Sequence, residues 1–150
     1  MSHVATILLE IHDLEALKAA CERIGLKLVE GQTTYRWYGR HVGDYSLPEG
    51  FSAKDLGKCA HAIVIPNNKK AYEIGVVVRR DGKEGYQLMW DFWAGGQGLE
   101  AVVGKNCQKV CQEYAAEVAT REMEMQGYIV EREENENGEI ELNCHNYEMN

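Results

Sequence analysis

Hydrophobic positions in the first part of the chain follow two spacings, one typical of strands and one typical of helices. Residues 4–11 are rich in Val, Ile and Leu and predict a strand. After Asp13, a favourable N-cap, apolar residues recur every three or four positions, which predicts a helix with one buried face. These residues are Leu14, Leu17, Cys21 and Ile24. Gly25 then ends the helix, so the first two predicted elements are a strand and an amphipathic helix.

The middle of the chain predicts further strands on either side of a long loop. Residues 26–30 and 33–38 predict one interrupted strand or two strands, separated at Gly31. Residues 39–58 contain five Gly or Pro residues and predict a long loop, which is uncommon in a compact domain and often functional. Three more strands are predicted at residues 61–65, 72–79 and 86–93, the last two forming a hairpin.

The last third of the chain predicts a long helix over residues 103–125, ended by Gly127. Gly104 marks a point where this helix would bend or split, since an interior Gly costs about 1 kcal/mol relative to Ala. A hairpin over residues 128–145 follows the helix.

The loop length of this hairpin decides which side chains share a face. A two-residue loop, Asn137-Gly138, would set apolar residues of the second strand opposite polar residues of the first. A three-residue loop, with Gly138 in the left-handed conformation, places Leu142 opposite Arg132 and Cys144 opposite Val130. Because a slip of one residue turns every side chain to the other face, we predict the three-residue loop, which gathers the apolar residues.

The predicted element order is β-α-β-loop-β-β-β-α-β-β, which indicates one α+β domain spanning residues 1–150. We expect a mainly antiparallel sheet with two helices packed on one face, of ferredoxin-like or related type. The net charge of −8 disfavours binding to duplex nucleic acid, and no apolar run approaches the roughly 20 residues of a membrane helix. A signal-peptide pattern is absent, and five cysteines favour free thiols, so we expect a cytoplasmic protein.

Several short segments can be compared with known families: Met1-Ser2-His3 with its strand, the helix start at residues 13–17, residues 71–75, residues 127–130 and the Asn137-Gly138 turn. Together these segments resemble a family of uncharacterised proteins from chloroplast, cyanobacterial and phage genomes. Residues 34–40 and the loop as far as Lys58 are similar to the phage members. The resemblance implies a single domain in a phage or cytoplasmic setting, and it implies no particular activity.

The most unusual local composition lies in residues 35–45, where aromatic residues alternate with Arg and His. Aromatic rings stack on planar ligands, and guanidinium groups bind phosphate or carboxylate. The structural alternative is a strand whose aromatics enter the core while its arginines pair with surplus carboxylates. We predict a ligand site in which residues 39–58 fold over the sheet and close an aromatic pocket. Its residues are Arg36, Trp37, Tyr38, Arg40, His41, Tyr45 and Trp93.

Three other motifs are weaker as candidate sites. Gly95 to Gly98 could bind an anion at a helix N-terminus but lacks the Lys and Ser/Thr of a phosphate-binding loop. Asp91, between aromatics, would need an arginine partner or a proton if it were buried. Cysteine and histidine pairs at 59/61 and 144/145 lack zinc-ligand spacing, and Cys59–His61 lacks an activating third group. We therefore predict no catalytic residue, no metal and no cofactor.

Two function hypotheses follow. The first is a non-catalytic binding protein for a small, planar, anionic ligand such as a nucleotide, with sequestration of a signalling nucleotide as the role that phage resemblance suggests. The second is a protein-interaction module, an inhibitor or adaptor of a host protein, that uses the long loop or the six glutamates between residues 131 and 141. For those glutamates the structural alternative is an ordinary solvated hairpin. A homo-oligomer is left open.

Overall fold

A computed structural model describes residues 2–42 and 45–146, except for the side chain of Leu8. Its strands are β1 (Val4–Ile11), β2 (Lys27–Glu30), β3 (His61–Val64), β4 (Ile74–Val78), β5 (Tyr86–Asp91), β6 (Tyr128–Glu134) and β7 (Ile140–Asn146). Its helices are α1 (Leu14–Arg23), α2 (Leu99–Val103) and α3 (Gln108–Met125). None of the helices in these ranges is both long and apolar enough to cross a membrane.

Strands β1 to β5 form one antiparallel sheet in the order β1-β5-β4-β3-β2, and β6 pairs with β7 in a separate two-stranded sheet. Strands β2 to β5 follow one another as a meander, and β1 is added beside β5 with Val4 opposite Asp91. Strands β1 and β2 are therefore the two edges of the larger sheet. The predicted α+β class and the mainly antiparallel sheet are confirmed.

The helices cover one face of this sheet and enclose the main hydrophobic core. Asp13 caps α1 as predicted, since its carboxylate accepts a hydrogen bond from the Ala16 amide at 3.0 Å. The Tyr114 hydroxyl on α3 accepts hydrogen bonds from the amides of His12 and Asp13, which joins α3 to the start of α1. Buried core side chains come from all three helices and from the sheet, and include Leu17, Ile63, Ile74, Leu88, Trp90, Val103 and Val110.

The predicted long helix is divided, so the fold has three helices rather than the two we expected. The chain leaves α2 at Gly104 and makes a short 3₁₀ turn before α3 begins at Gln108. Asn106 and Cys107 both adopt left-handed backbone conformations, with φ of 56° and 57°. A right-handed helix cannot contain such residues, so the backbone is interrupted here. The helical spacing of apolar residues runs through this segment all the same, and therefore did not indicate the interruption.

The opposite face of the sheet is covered by the long loop. Phe51 and Leu56 are buried there against Val4, Val77 and Met89. The strand predicted over residues 33–38 was wrong in its extent, because the structure has a single bridge between Thr34 and Lys58 in its place.

The C-terminal hairpin has the predicted register, with Arg132 opposite Leu142 and Val130 opposite Cys144. Gly138 in its loop has a φ of 78°. One face of the hairpin packs on α3, where the Arg132 guanidinium lies 2.6 Å from the Glu113 carboxylate. The Gln112 side-chain amide also donates to the Gly138 carbonyl at 2.8 Å.

Candidate functional site

The candidate site is built around Asp91, the last residue of β5. Its side chain is fully buried on the loop-covered face. One carboxylate oxygen accepts hydrogen bonds from the amides of His3 at 2.9 Å and Trp93 at 3.1 Å, and the other accepts from the Tyr38 amide at 3.1 Å. Three backbone amides therefore stabilise this carboxylate where we had expected an arginine partner or a proton.

These hydrogen bonds bring three distant segments of the chain to one point. His3 precedes β1, Tyr38 lies before the long loop, and Trp93 follows β5. The negative charge of Asp91 also reaches Tyr72, because burial and then this charge raise the pKa of the Tyr72 phenol. Asp91 is thus the residue that assembles the site.

Aromatic rings cluster around this point. The His3 imidazole stacks on the Tyr45 ring, with centroids 4.8 Å apart, and meets the Trp93 ring edge-on at 5.0 Å. The Phe92 ring lies 5.2 Å from that of Tyr45 and 5.4 Å from that of His3. Tyr38, Tyr45 and Trp93 are 40%, 37% and 36% exposed, so part of each ring is open to solvent. Tyr38 is joined to the other four residues through the hydrogen bond of its amide to Asp91. We call these five residues, His3, Tyr38, Tyr45, Phe92 and Trp93, the aromatic patch.

Arg40 and His41 follow Tyr38 closely in the chain, and both are exposed. The guanidinium carbon of Arg40 lies 6.0 Å from the centroid of the Tyr38 ring. Of the seven residues we predicted, the structure thus brings Tyr38, Arg40, Tyr45 and Trp93 together, with His41 next in sequence to Arg40. The sequence analysis missed His3, because no local pattern shows that a residue before β1 will stack on a loop tyrosine.

Arg36 and Trp37 lie apart from the patch. The Arg36 guanidinium donates to the carbonyl of Ala71 at 2.6 Å and lies 3.8 Å from the Glu73 carboxylate. The Trp37 ring packs closely over Gly57, where an added Cβ would lie 2.3 Å from the indole nitrogen. Arg36 therefore fixes the segment before β4, and Trp37 fixes the end of the long loop. These are structural roles, as in the alternative to a ligand site that we gave for residues 35–45.

A left-handed turn follows Trp93 directly. Ala94, Gly95, Gly96 and Gln97 all have φ between 52° and 68° with positive ψ. Consecutive left-handed residues are rare, because each non-glycine residue in that conformation costs roughly 1–2 kcal/mol. The Gly96 carbonyl accepts the Tyr72 amide at 2.9 Å, which anchors the turn. Strain of this kind collects at functional sites, which adds weight to the region around Trp93.

Several clefts lie between the loop and the sheet, and two of them bear on the candidate site. The first has a volume of about 300 Å³, and its wall includes Phe51, Asp55 and Arg80. Arg80 stacks on the Phe51 ring at 4.5 Å and forms two hydrogen bonds with Asp55, so its charge is already paired. The second has a volume of about 460 Å³ and is lined by residues 4–6 and 45–48, so it borders the aromatic patch at Tyr45.

The cysteine and histidine candidates have structural partners. The Cys59 thiol lies 3.2 Å from the Gln32 carbonyl, and burial raises its pKa to about 11, which opposes use as a nucleophile. The His61 ring accepts a hydrogen bond from the Gly31 amide at 2.9 Å. Cys144 and His145 belong to neighbouring cross-strand pairs and lie on opposite faces of the hairpin. Among residues 2–42 and 45–146, no group of three His, Cys, Asp or Glu side chains could hold a metal ion.

Comparison with known proteins gives one family. A family model described as a protein of unknown function, DUF1257, matches residues 49–143, which is more than half of the chain. No curated protein and no solved structure matches the chain. The matched region contains Asp91 and Trp93, and it begins after Tyr38, Arg40 and Tyr45.

Proposed function

The chain belongs to the DUF1257 family, whose description assigns no function, and we propose that it is a non-catalytic binding protein for a small, planar, anionic ligand. A nucleotide is the leading case. The observation that carries this proposal is the gathering of exposed aromatic rings around the buried Asp91 carboxylate, beside Arg40. The site comprises the aromatic patch together with Arg40 and His41.

Stacking supplies the attraction for a planar group. Base stacking on an aromatic side chain contributes about 1–3 kcal/mol per base. Tyr38, Tyr45 and Trp93 each leave part of a ring in solvent, and the cleft of about 460 Å³ beside Tyr45 gives a nucleobase room to enter. Such a volume falls within the range of about 300–1,000 Å³ typical of small-molecule sites.

Charge supplies the preference for an anion. The protein has 24 acidic and 16 basic residues, so most of its surface repels phosphate. Arg40 and His41 are adjacent, exposed residues beside the aromatic patch. A guanidinium group such as that of Arg40 can bind two phosphate oxygens at once. Aromatic rings next to an unburied arginine therefore favour a ligand that has both a ring and a phosphate.

Preorganisation is the contribution of Asp91. Because its carboxylate fixes the backbone at His3, Tyr38 and Trp93, these rings lose little further freedom when a ligand binds. The left-handed turn after Trp93 restrains the same point from the other side.

Isothermal titration calorimetry tests the proposal with four probes: adenosine and guanosine 5′-monophosphate, adenosine without phosphate, and ribose 5-phosphate without a base. We expect the nucleotides to bind and each half-ligand to bind at least about tenfold more weakly, because stacking and charge both contribute. Trp93→Ala should weaken nucleotide binding about tenfold or more, and Arg40→Gln should weaken it mainly for the phosphorylated probes.

Matched controls separate these effects from general ones. Met125→Ala removes an apolar side chain that is exposed at the end of α3, and Lys69→Gln removes an exposed positive charge before β4. Both should leave binding unchanged. Absence of binding for every probe, or equal losses in the controls, would refute the proposal.

The biological setting is a finer part of the same proposal. The resemblance of residues 34–40 and the long loop to phage proteins led us to expect a phage setting. On that basis we propose a phage protein that sequesters a signalling nucleotide in the cytoplasm of its host. Adding a cyclic dinucleotide to the calorimetry series tests this part, and preference for a mononucleotide would argue against it.

A second candidate function is a protein-interaction module that uses the acidic hairpin. Its inner face is held on α3, so its outer face is presented in a fixed orientation. On that outer face Glu133 lies directly opposite Glu141, and like charges in this position destabilise a hairpin. The paired carboxylates concentrate negative charge on the outer face, which would suit a basic partner surface.

Neutralising the pair tests the second candidate. Glu133→Gln with Glu141→Gln should stabilise the hairpin and reduce capture of basic host proteins in a pull-down. The matched control neutralises Glu49 and Glu84, which are exposed elsewhere. Equal capture by both double variants would exclude the acidic face as the interface.

A further inference from the structure

The two edges of the five-stranded sheet differ in how well they are protected against pairing with another strand. Strand β2 has four residues and carries Lys27 and Glu30 at its ends. Short edge strands and charged residues are the usual means by which proteins prevent edge-to-edge association. Strand β1 has eight residues, contains neither Lys nor Pro, and has one charged residue, Glu10, near its end.

The hydrogen-bonding direction along β1 identifies which backbone groups are available. The Phe92 amide donates to the His3 carbonyl at 2.9 Å, so His3 forms a hydrogen-bonded pair with the residue after β5. In an antiparallel ladder such pairs alternate, so Ala5 and Ile7 also bond toward β5. The backbone groups of Val4, Thr6 and Leu8 therefore point away from the sheet.

The residue before this stretch shows the same alternation. The Ser2 amide points outward and donates to the Val42 carbonyl at 3.4 Å, while the Ser2 hydroxyl accepts from the Val42 amide at 3.1 Å. The loop thus covers the outer edge at Ser2. From Val4 to Thr6, β1 and loop residues 45–48 line the open cleft of about 460 Å³ described above, and β5 is the neighbouring strand of β1 within the described residues. A second copy on this edge would therefore compete with the proposed ligand for the cleft.

We propose that β1 pairs antiparallel with β1 of a second copy of this chain, joining two five-stranded sheets across a two-fold axis. A strand paired antiparallel with its own copy is self-complementary. Around a two-fold axis, the outward amides of each strand face the outward carbonyls of the other, so both sets of groups are paired. Residues 4–9 carry no charge, so the pairing sets no like charges opposite each other although the protein has a net charge of −8.

The neutral edge also favours a second copy over a charged partner. Ile7 and Leu9 are partly exposed at the rim of the helix-side core, and they would meet the same apolar residues of the other copy. The regular ladder runs from Val4 to Ile7, and an irregularity between Ile7 and Ile11 limits the length of the pairing. Such an edge interface is small, so we expect micromolar rather than nanomolar self-association.

Substitution at Thr6 tests the proposal with a matched pair of variants. Thr6→Pro removes an outward amide while leaving the hydrogen bonds to β5 in place, and proline is tolerated on an edge strand in that orientation. Thr6→Val has nearly the same shape and keeps the amide. In sedimentation velocity over a concentration series, we expect the wild type and Thr6→Val to dimerise alike and Thr6→Pro to dimerise at least about tenfold more weakly.

Hydrogen exchange provides a second readout that needs no variant. The amides of Val4, Thr6 and Leu8 should become protected as the protein concentration rises, whereas those of Ala5 and Ile7 should be protected at every concentration. Thr6→Lys, which adds a charge to the edge, replaces Thr6→Pro if the proline variant fails to fold. A monomer at all concentrations, or a dimer that Thr6→Pro or Thr6→Lys leaves intact, would overturn the proposal.

Discussion

The two faces of the five-stranded sheet are covered by different kinds of structure. On one face, three helices satisfy most of their own backbone hydrogen bonds, so they contribute mainly apolar side chains such as Leu17 and Val110. On the other, the long loop has one 3₁₀ turn at residues 53–55, and single carboxylates accept backbone amides of this loop and of the segments beside it. Asp91 accepts three amides, Asp55 accepts the Ser52 amide, and Glu73 accepts the Arg36 amide.

This difference teaches where each face is vulnerable. A face covered by helices depends on the volume of its core and tolerates changes in individual polar groups. Buried backbone amides need a hydrogen-bond acceptor. In a helix or sheet the acceptors are backbone carbonyls, whereas a face covered by a loop depends on a few polar side chains to accept these hydrogen bonds. The candidate site lies on the second face, so its geometry depends on single carboxylates.

The largest expected effect is a loss of stability, and it should differ between the apolar clusters on the two faces of the sheet. Leu17→Ala on α1 should lower the free energy of unfolding by about 4 kcal/mol, because Leu17 is fully buried in the main core. Leu56→Ala in the loop should cost about 2 kcal/mol, since the loop can relax around the cavity. Urea denaturation measures both losses, and equal losses would show that the two faces do not differ in this way.

Removal of the Asp91 carboxylate comes next. Asp91→Ala leaves three amides without an acceptor and should cost about 3 kcal/mol. Near-ultraviolet circular dichroism should also change, because the rings of Tyr38 and Trp93 lose their fixed positions. Glu73→Ala, which removes the acceptor of the Arg36 amide away from the patch, is the control for a general loosening of the loop. A Tyr and Trp spectrum that stays native in Asp91→Ala would contradict the role of this carboxylate.

The left-handed turn predicts a gain in stability. Ala94→Gly and Gln97→Gly should each stabilise the protein by about 1 kcal/mol, because glycine adopts a positive φ without steric cost. Thermal unfolding should show an increase of about 2–4 °C for each variant. Ala101→Gly, at an exposed position within α2, is the matched control and should lower the stability instead. If the variants at 94 and 97 lowered the melting temperature as well, the turn would not be strained.

The smallest expected effect is a dependence on pH. Hydrogen bonds from Ser52 and Arg80 hold the pKa of Asp55 well below its usual range. Because its folded-state pKa is lowered, Asp55 stabilises the loop above the unfolded-state value of about 3.9, and this contribution is lost as the pH falls below it. Urea denaturation between pH 6 and pH 2 should show a shallower decline for Asp55→Asn than for the wild type. Equal slopes for Asp55→Asn and the wild type would contradict this contribution.

Most of the helix-covered face could be predicted from the sequence. The strands and α1 follow local apolar patterns, and the Asp13 cap was identified by its residue type. The register of the last hairpin was predicted by gathering its apolar residues on one face. The division of the long helix was expected at Gly104, but the left-handed residues Asn106 and Cys107 were not, because periodicity carries no information on backbone handedness.

The loop-covered face could be predicted only in part. Its folding back over the sheet was predicted from Tyr45 and Phe51, of which Phe51 is buried there, and four of the proposed site residues do lie together. The partner of Arg36 could not be read from the sequence, because the Ala71 carbonyl is a backbone group that any residue could offer. The stacking of His3 on Tyr45 likewise depends on tertiary contacts between segments with no shared pattern.

The pairing of β1 with β5 has a consequence for the order of folding. The hydrogen bond between His3 and Asp91 spans 88 residues of sequence, so closing it is slow compared with forming the adjacent hairpin of β4 and β5. During synthesis β1 leaves the ribosome long before its partner strand β5. Until β5 has been synthesised, the backbone groups along both edges of β1 have no strand to pair with. This strand, whose first six residues carry no charge, is therefore the segment most exposed to premature association. Rapid dilution should improve refolding yield more than a change of temperature.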